Sequence, residues 1–210
     1  MIDWEAGIAD FLLRIFREKS VTISAADVLR AREDIEFEMI QARYRSYKEI
    51  LAQSLREAFE KYSIPYSNRD GERLAESVPT WPVFEETRPA LEKLATKHAL
   101  AIISNIDNEI IEKTKSRIGV SFGLTVTAQD AQAYKPSLRP FRRCLERLGQ
   151  SPEQVLHVSS GYRYDIPPAH ELGFKTAWIN RKSEALPAGA VKPNYEFNSL
   201  TQLAELAGKL

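Results

Sequence analysis

The run Ala99-Leu100-Ala101-Ile102-Ile103, followed at once by Ser104-Asn105, most constrains what this chain can fold into. So short an apolar run does not make a globular helix, and its unbroken character is the pattern of a strand covered on both faces. Helical spacing resumes from Asn108 to Arg117. Strand-like runs return at Leu124–Ala128, Gln154–Val158 and Lys175–Ile179, separated by helical patterns at Leu138–Leu148 and Pro167–Leu172. Tyr195-Glu196-Phe197 reads as a small edge strand before a closing helix at Leu200–Ala207. Strands alternating with helices of this length predict an α/β fold whose parallel sheet is covered by helices on both faces.

The chain before Val78-Pro79-Thr80-Trp81-Pro82 has another texture. Apart from a short strand expected at Ser20–Ile23, it reads as helices. Ala6, Ile8, Leu12, Ile15 and Phe16 recur at helical spacing, and Ser24-Ala25-Ala26-Asp27 has the form of a capped helix start. Ile50, Leu51, Leu55 and Phe59 mark a further helix that breaks near Ile64-Pro65, and a last one follows from Ser67 to Ser77. Pro79 and Pro82 mark a hinge. The expected organisation is an all-helical domain over residues 1–80 and an α/β domain over 81–210, the first closing over the strand ends of the second.

Lys plus Arg (29) equal Asp plus Glu (29), so no net field favours nucleic acid or an anionic membrane. No apolar run approaches the roughly 18 residues of a membrane span, and no leader pattern opens the chain. The single cysteine, Cys144, forms no intrachain disulfide and fits a reducing, cytoplasmic setting. Its place on a helical pattern reads as core filler rather than a reactive thiol.

Each strand of the second half ends in usable chemistry. The first ends in Ser104-Asn105, the second leads by a loop to Lys135-Pro136, and the third ends in Ser159-Ser160-Gly161 and reaches Asp165. Ligands of open α/β sheets sit beyond the carboxyl ends of the strands. Hydroxyls, an amide and an ammonium together suit a small anionic substrate. Each residue also has a plain structural reading: Ser104 and Asn105 as caps of the next helix, Lys135 as a solvated loop lysine, Asp165 as a cap for the helix at Pro167. His98, His157 and His170 share no ligand-like spacing with one another or with Cys144 and read as structural, so no metal site is expected from them.

Ile103-Ser104-Asn105, Tyr134-Lys135-Pro136 and Val158-Ser159-Ser160 with Asp165 resemble motifs two, three and four of the haloacid dehalogenase-like hydrolases. Ile2-Asp3-Trp4-Glu5 and Trp178-Ile179-Asn180-Arg181 resemble the type II L-2-haloacid dehalogenases within that superfamily. The resemblance implies a Rossmann-like core with a helical cap. It assigns catalytic roles to Lys135 and Asp165, and substrate oxygens to Ser104, Asn105 and Ser159. It implies carbon–halogen cleavage of a 2-haloacid through an aspartyl ester, without a cofactor. In the phosphatase branch of the same superfamily, Asp165 would instead bind Mg2+. Homodimers occur in the family. Arg43 and Arg45, in the expected cap, are candidates for gripping a carboxylate, although charged helical residues are more often a solvated face.

Three departures qualify the resemblance. The family's nucleophile belongs to a strand-ending motif of the form Asp-x-x-Gly-Thr, which these 210 residues do not contain. Asp3 and Asp10 follow no strand and are not substitutes. Phe141 stands where the dehalogenases carry a tyrosine. The loop Gly161-Tyr162-Arg163-Tyr164 has no asparagine, and its spacing to Asp165 is closer to the phosphatases. The expectations are therefore a shortened chain whose sheet lacks a central strand, poor solubility from the exposed strand edges, and no turnover. The alternatives are a Mg2+-dependent phosphatase and a non-catalytic binding protein.

Overall fold

The computed structural model describes residues 1–207. Met1–Phe84 together with Ile106–Ile118 forms one compact unit, and Glu85–Asn105 with the residues from Gly119 onward forms the other. The division falls at Phe84/Glu85, beside the expected 80/81, and Ile106–Ile118 belongs to the helical unit.

The first unit is helical: α1 (Trp4–Lys19), α2 (Ala25–Met39), α3 (Tyr47–Lys61), α4 (Asn68–Ser77) and, from later in the chain, α6 (Asn108–Ile118). Asp3 caps α1 by accepting the Ala6 N–H at 3.0 Å, and Ile8, Phe11, Leu12, Ile15 and Phe16 form its buried stripe. Gly7 is required where it stands, because a Cβ there would lie 2.2 Å from Trp81 Cγ. The strand expected at Ser20–Ile23 is absent. Ser20 takes the left-handed conformation that ends α1, and its N–H returns to the last turn, so the segment is a connector between helices. Helix α3 begins with a capping box between Ser46 and Glu49. Its first N–H groups also meet buried Asp107, whose carboxylate accepts from Tyr47 N at 2.8 Å and Lys48 N at 3.0 Å.

The second unit holds α5 (Thr87–Ala95), β1 (Ala101–Ser104), β2 (Leu124–Thr127), α7 (Ala128–Ala131), α8 (Leu138–Leu148), β3 (Leu156–Ser159), α9 (Tyr162–Glu171), β4 (Lys175–Ile179), β5 (Tyr195–Phe197) and α10 (Leu200–Ala207). All strand pairs are parallel, as the alternation of elements requires. They form two sheets rather than one, of order β1-β2 and β3-β4-β5. Strand burial follows this interruption. In β4, Thr176 to Ile179 are buried, and in β2 only Thr125 is partly open, whereas β1 buries only Ile102 and β3 buries none of its residues. The expectation that Ala99–Ile103 is covered on both faces therefore fails: the strand begins only at Ala101, Ala99 and Ala101 are exposed, and no strand other than β2 pairs with β1 among the described residues.

The two sheets are joined by side chains. Phe141 of α8, fully buried, packs with Ala169 and Phe174, and partly buried Ile103 of β1 and Val155 just before β3 pack against that cluster. Helix α9 begins at Tyr162, earlier than the Pro167 start read from sequence, so Asp165 lies inside its first turn and does not cap it. Among the described residues no helix is long and apolar enough to cross a membrane.

Candidate active site

The expected site residues come together at the C-terminal ends of β1 and β3, all within the second unit, around Asp165. Its carboxylate is 3% exposed and both oxygens are engaged. Oδ1 accepts from Lys135 Nζ at 2.8 Å and lies 2.8 Å from His157 Nε2, and Oδ2 accepts from Ser159 Oγ at 2.7 Å. Burial by itself raises the Asp165 pKa. The adjacent Lys135 charge and the His157 hydrogen bond together outweigh it and hold the carboxyl well below the usual carboxylate range. This is a buried ion pair with its lone pairs satisfied, the condition under which such a pair persists in low dielectric.

Lys135 reaches this position because its peptide is clamped. Asn105 Oδ1 accepts from Lys135 N at 2.7 Å, and Asn105 Nδ2 donates to Lys135 O at 2.9 Å. Asn105 is therefore tied to the Lys135 peptide rather than capping the next helix, and one N–H of its amide is left over. Its amide holds the loop that presents Lys135 to the end of β1. The Lys135 ammonium also donates to the Ile103 carbonyl at 3.1 Å, which leaves one of its three N–H bonds without an acceptor among the described residues. Ser159 is similarly committed: besides donating to Asp165, its Oγ accepts from Gly161 N at 3.0 Å and shapes the loop into α9. Trp178 Nε1 fixes the same loop by donating to Ser160 O at 3.1 Å. Ser104, half-buried at the end of β1, makes no side-chain hydrogen bond among the described residues. The donors left for a ligand thus include the Ser104 hydroxyl, one Lys135 N–H and one Asn105 Nδ2 N–H.

His157 is the residue that sequence reasoning missed. Its ring touches Asp165 and sits edge-on to Phe141 and Phe174, with centroids 5.1 and 6.1 Å away. Spacing to other histidines carried no signal. The signal was its position two residues before Ser159 on one strand, where alternate side chains share a face. His98 and His170 are exposed and belong to no metal-holding group; among the described residues no such group of three exists.

A magnesium ion does not fit these residues. A hard cation takes carboxylate oxygens, and both oxygens of Asp165 are occupied by Lys135, His157 and Ser159, with Ser159-Ser160 offering hydroxyls where a second carboxylate would be needed. Cys144 is buried, and burial raises its thiol to about 11, which leaves it unreactive.

Arg43 and Arg45 lie in the turn between α2 and α3, not on a helix. The buried cation of the first unit is Arg32, whose Nη1 donates to Ser54 Oγ at 3.1 Å and pairs with Glu36. A hollow of about 360 Å3 in the same unit, lined in part by Arg14, Arg69 and Arg73, shares no residue with the Asp165 cluster. Arg69 and Arg73 are already paired there with Glu72, Glu76 and Glu18.

Comparison with known proteins gives one family from sequence and one fold from shape. A family model described as haloacid dehalogenase-like hydrolase matches residues 6–173. The chain is 25% identical over 202 residues to an (S)-2-haloacid dehalogenase of Pseudomonas fluorescens, covering 95% of this chain and 84% of that one. It is 28% identical over 159 residues to haloacetate dehalogenase H-2 of Moraxella, covering 74% and 70%. Its fold is that of the L-2-haloacid dehalogenase structure from Xanthobacter autotrophicus, with a TM-score of 0.87 at 17% identity over 100% of this chain and 95% of that one.

Proposed function

The chain belongs to the haloacid dehalogenase-like hydrolases, and from that premise we propose that it binds a small carboxylate of the 2-haloacid class at the ends of β1 and β3. Lys135 supplies the cation, Ser104 donates to the substrate's oxygens, and Asp165, Asn105, Ser159 and His157 hold Lys135 in place. The observation that carries this reading is the Lys135–Asp165 pair, clamped from both sheets, with one ammonium N–H left over and with Ser104 next in the chain to Ile103, whose carbonyl accepts from Lys135. Its likeness to (S)-2-haloacid dehalogenases over most of the chain supports the substrate class.

In the aspartyl-ester route implied by the family, a carboxylate attacks the carbon bearing the halogen, halide leaves with the bonding electrons, and water then hydrolyses the ester. Lys135 would stabilise the attacking carboxylate and the departing charge, an electrostatic role in a site shielded from water. Asp165 cannot itself attack while both its oxygens are bound and its charge is paired. Among the described residues no other carboxylate meets Lys135. We therefore propose that these 210 residues bind the haloacid without releasing halide. The engaged state of Asp165 disfavours the Mg2+-dependent phosphatase alternative.

The test is a pair of assays on the 210-residue protein: calorimetric titration with L-2-chloropropionate, and chloride release from it. Saturable binding that weakens about tenfold in Ser104→Ala, with no chloride released, supports the reading. Binding indifferent to Ser104, or chloride release by the unmodified chain, overturns it.

A further inference from the structure

We propose that a hollow between α1 and α4, in the helical unit, binds the phosphate monoester of a small polyol, with Arg14, Arg69 and Arg73 around the phosphate. The inference stands on that hollow alone and does not depend on the substrate reading.

Three observations carry it. First, the hollow is built into the helix pair. Gly7, near the start of α1, lies against Trp81. At the other end of α1, Arg73 Nη1 and Nη2 donate to the Glu18 carboxylate at 2.6 and 2.7 Å, and Lys19 pairs with Asp70 at 3.0 Å. Tied at both ends, the two helices keep between them an opening of about 360 Å3, within the range of small-molecule sites. Second, three guanidinium groups line this opening against one carboxylate, that of Glu76. Arg14 is without a partner among the described residues. It pairs with neither Asp10 nor Glu18, the acidic residues one helical turn away on either side, and both Glu18 oxygens are taken by Arg73. Third, the other two arginines can still serve a ligand. Arg69 and its partners Glu72 and Glu76 are all more than half exposed, and pairs so open to water contribute little, so a dianion can displace them. Arg73 spends two of its five N–H groups on Glu18 and keeps three.

The ligand follows from what lines the hollow. Guanidinium forks match the oxygens of a phosphate group, and three of them suit a dianion better than a carboxylate. The rest of the lining asks for something else. Ser77 and Thr80 hydroxyls donate to the carbonyls of Leu74 and Ser77, both at 2.7 Å, so what they offer a ligand is lone pairs. Ser77 spends one of these on Trp81 Nε1, at 3.0 Å. Acceptors beside a cationic cluster call for hydroxyl donors on the organic part of the ligand.

The experiment titrates the 15N-labelled 210-residue protein with glycerol 3-phosphate and, separately, with inorganic phosphate, read by amide chemical shifts. It is run at constant ionic strength and at about pH 7.5, where the phosphate is largely a dianion. Saturable shifts are expected at residues 11–14 and 69–80, with none at 103–105 or 135. Glycerol 3-phosphate should bind at least about threefold tighter than inorganic phosphate, through its hydroxyls. Arg14→Gln should weaken binding about tenfold. Glu76→Gln should tighten it about threefold by removing the one opposing charge, a gain that misfolding cannot imitate. No saturation by about 20 mM, shifts centred on 103–105 and 135, or equal affinity for the two probes overturns the proposal. So does unchanged affinity in either variant.

Discussion

Strands β2 and β4 are the partners of β1 and β3, with β4 also pairing to β5, and the two sets differ in burial. Strands β2 and β4 are close to fully buried, whereas β1 and β3, the inner pair on either side of the interruption, carry mostly exposed or half-buried side chains. In place of a ladder, the inner pair is joined by one ammonium, one carboxylate and one phenyl ring. Hydrogen-bond ladders spread their stabilisation over many weak and individually dispensable bonds. A side-chain bridge concentrates it in a few atoms, each of which is costly to lose.

That contrast ranks the effects of mutation. Lys135→Met should cost the most, about 3–5 kcal/mol, because it removes the ammonium from a buried carboxylate that keeps only His157 and Ser159. Urea denaturation at pH 7 reads this directly, and a cost below about 1 kcal/mol would break the account of the bridge. Phe141→Ala removes the ring that spans the interruption and should cost about 3–4 kcal/mol, against about 1 for Val126→Ala in the laddered pair.

Acid should act on the bridge as well. The Asp165 carboxyl lies below its ordinary value in the folded chain, so the folded state holds its proton less tightly than the unfolded one. Its stabilising contribution is complete above the unfolded value near about pH 4 and is lost as the pH falls from there toward the folded value. Urea midpoints should therefore drop more steeply below about pH 4 in the unmodified chain than in Asp165→Asn, whose smaller stability should vary less with pH. The smallest effect belongs to Leu156→Lys, which should change stability by less than about 0.5 kcal/mol while improving solubility, because it places a charge beside an open edge. Light scattering against concentration measures that gain.

Much of the second unit was legible from the apolar alternation, including β2, β4, α8 and the loop that brings Lys135 to the end of β1. Short local signals were readable but overlooked. The capping box between Thr127 and Asp130 marks α7, and the alternation of His157 with Ser159 places both on the face that meets Asp165. Asn105 was not legible in that way. Its residue type fits a helix cap, and only the fold brings the Lys135 peptide to its amide. Asp107 is the same case: its two bonds to the start of α3 are invisible in the sequence around it. The expected strand at Ser20–Ile23 failed because its β-branched residues follow a left-handed helix end that commits the segment to a turn.

The most direct test of the interrupted layer is residue-resolved amide hydrogen exchange on the 210-residue protein alone. The account predicts protection near the global stability for the ladder amides of β2 and β4, and protection lower by about a hundredfold or more for the inward amides of β1 and β3. Equal protection across all four strands would contradict it, because β1 and β3 would then be paired in solution and the Lys135–Asp165 bridge would not be what joins the two sheets.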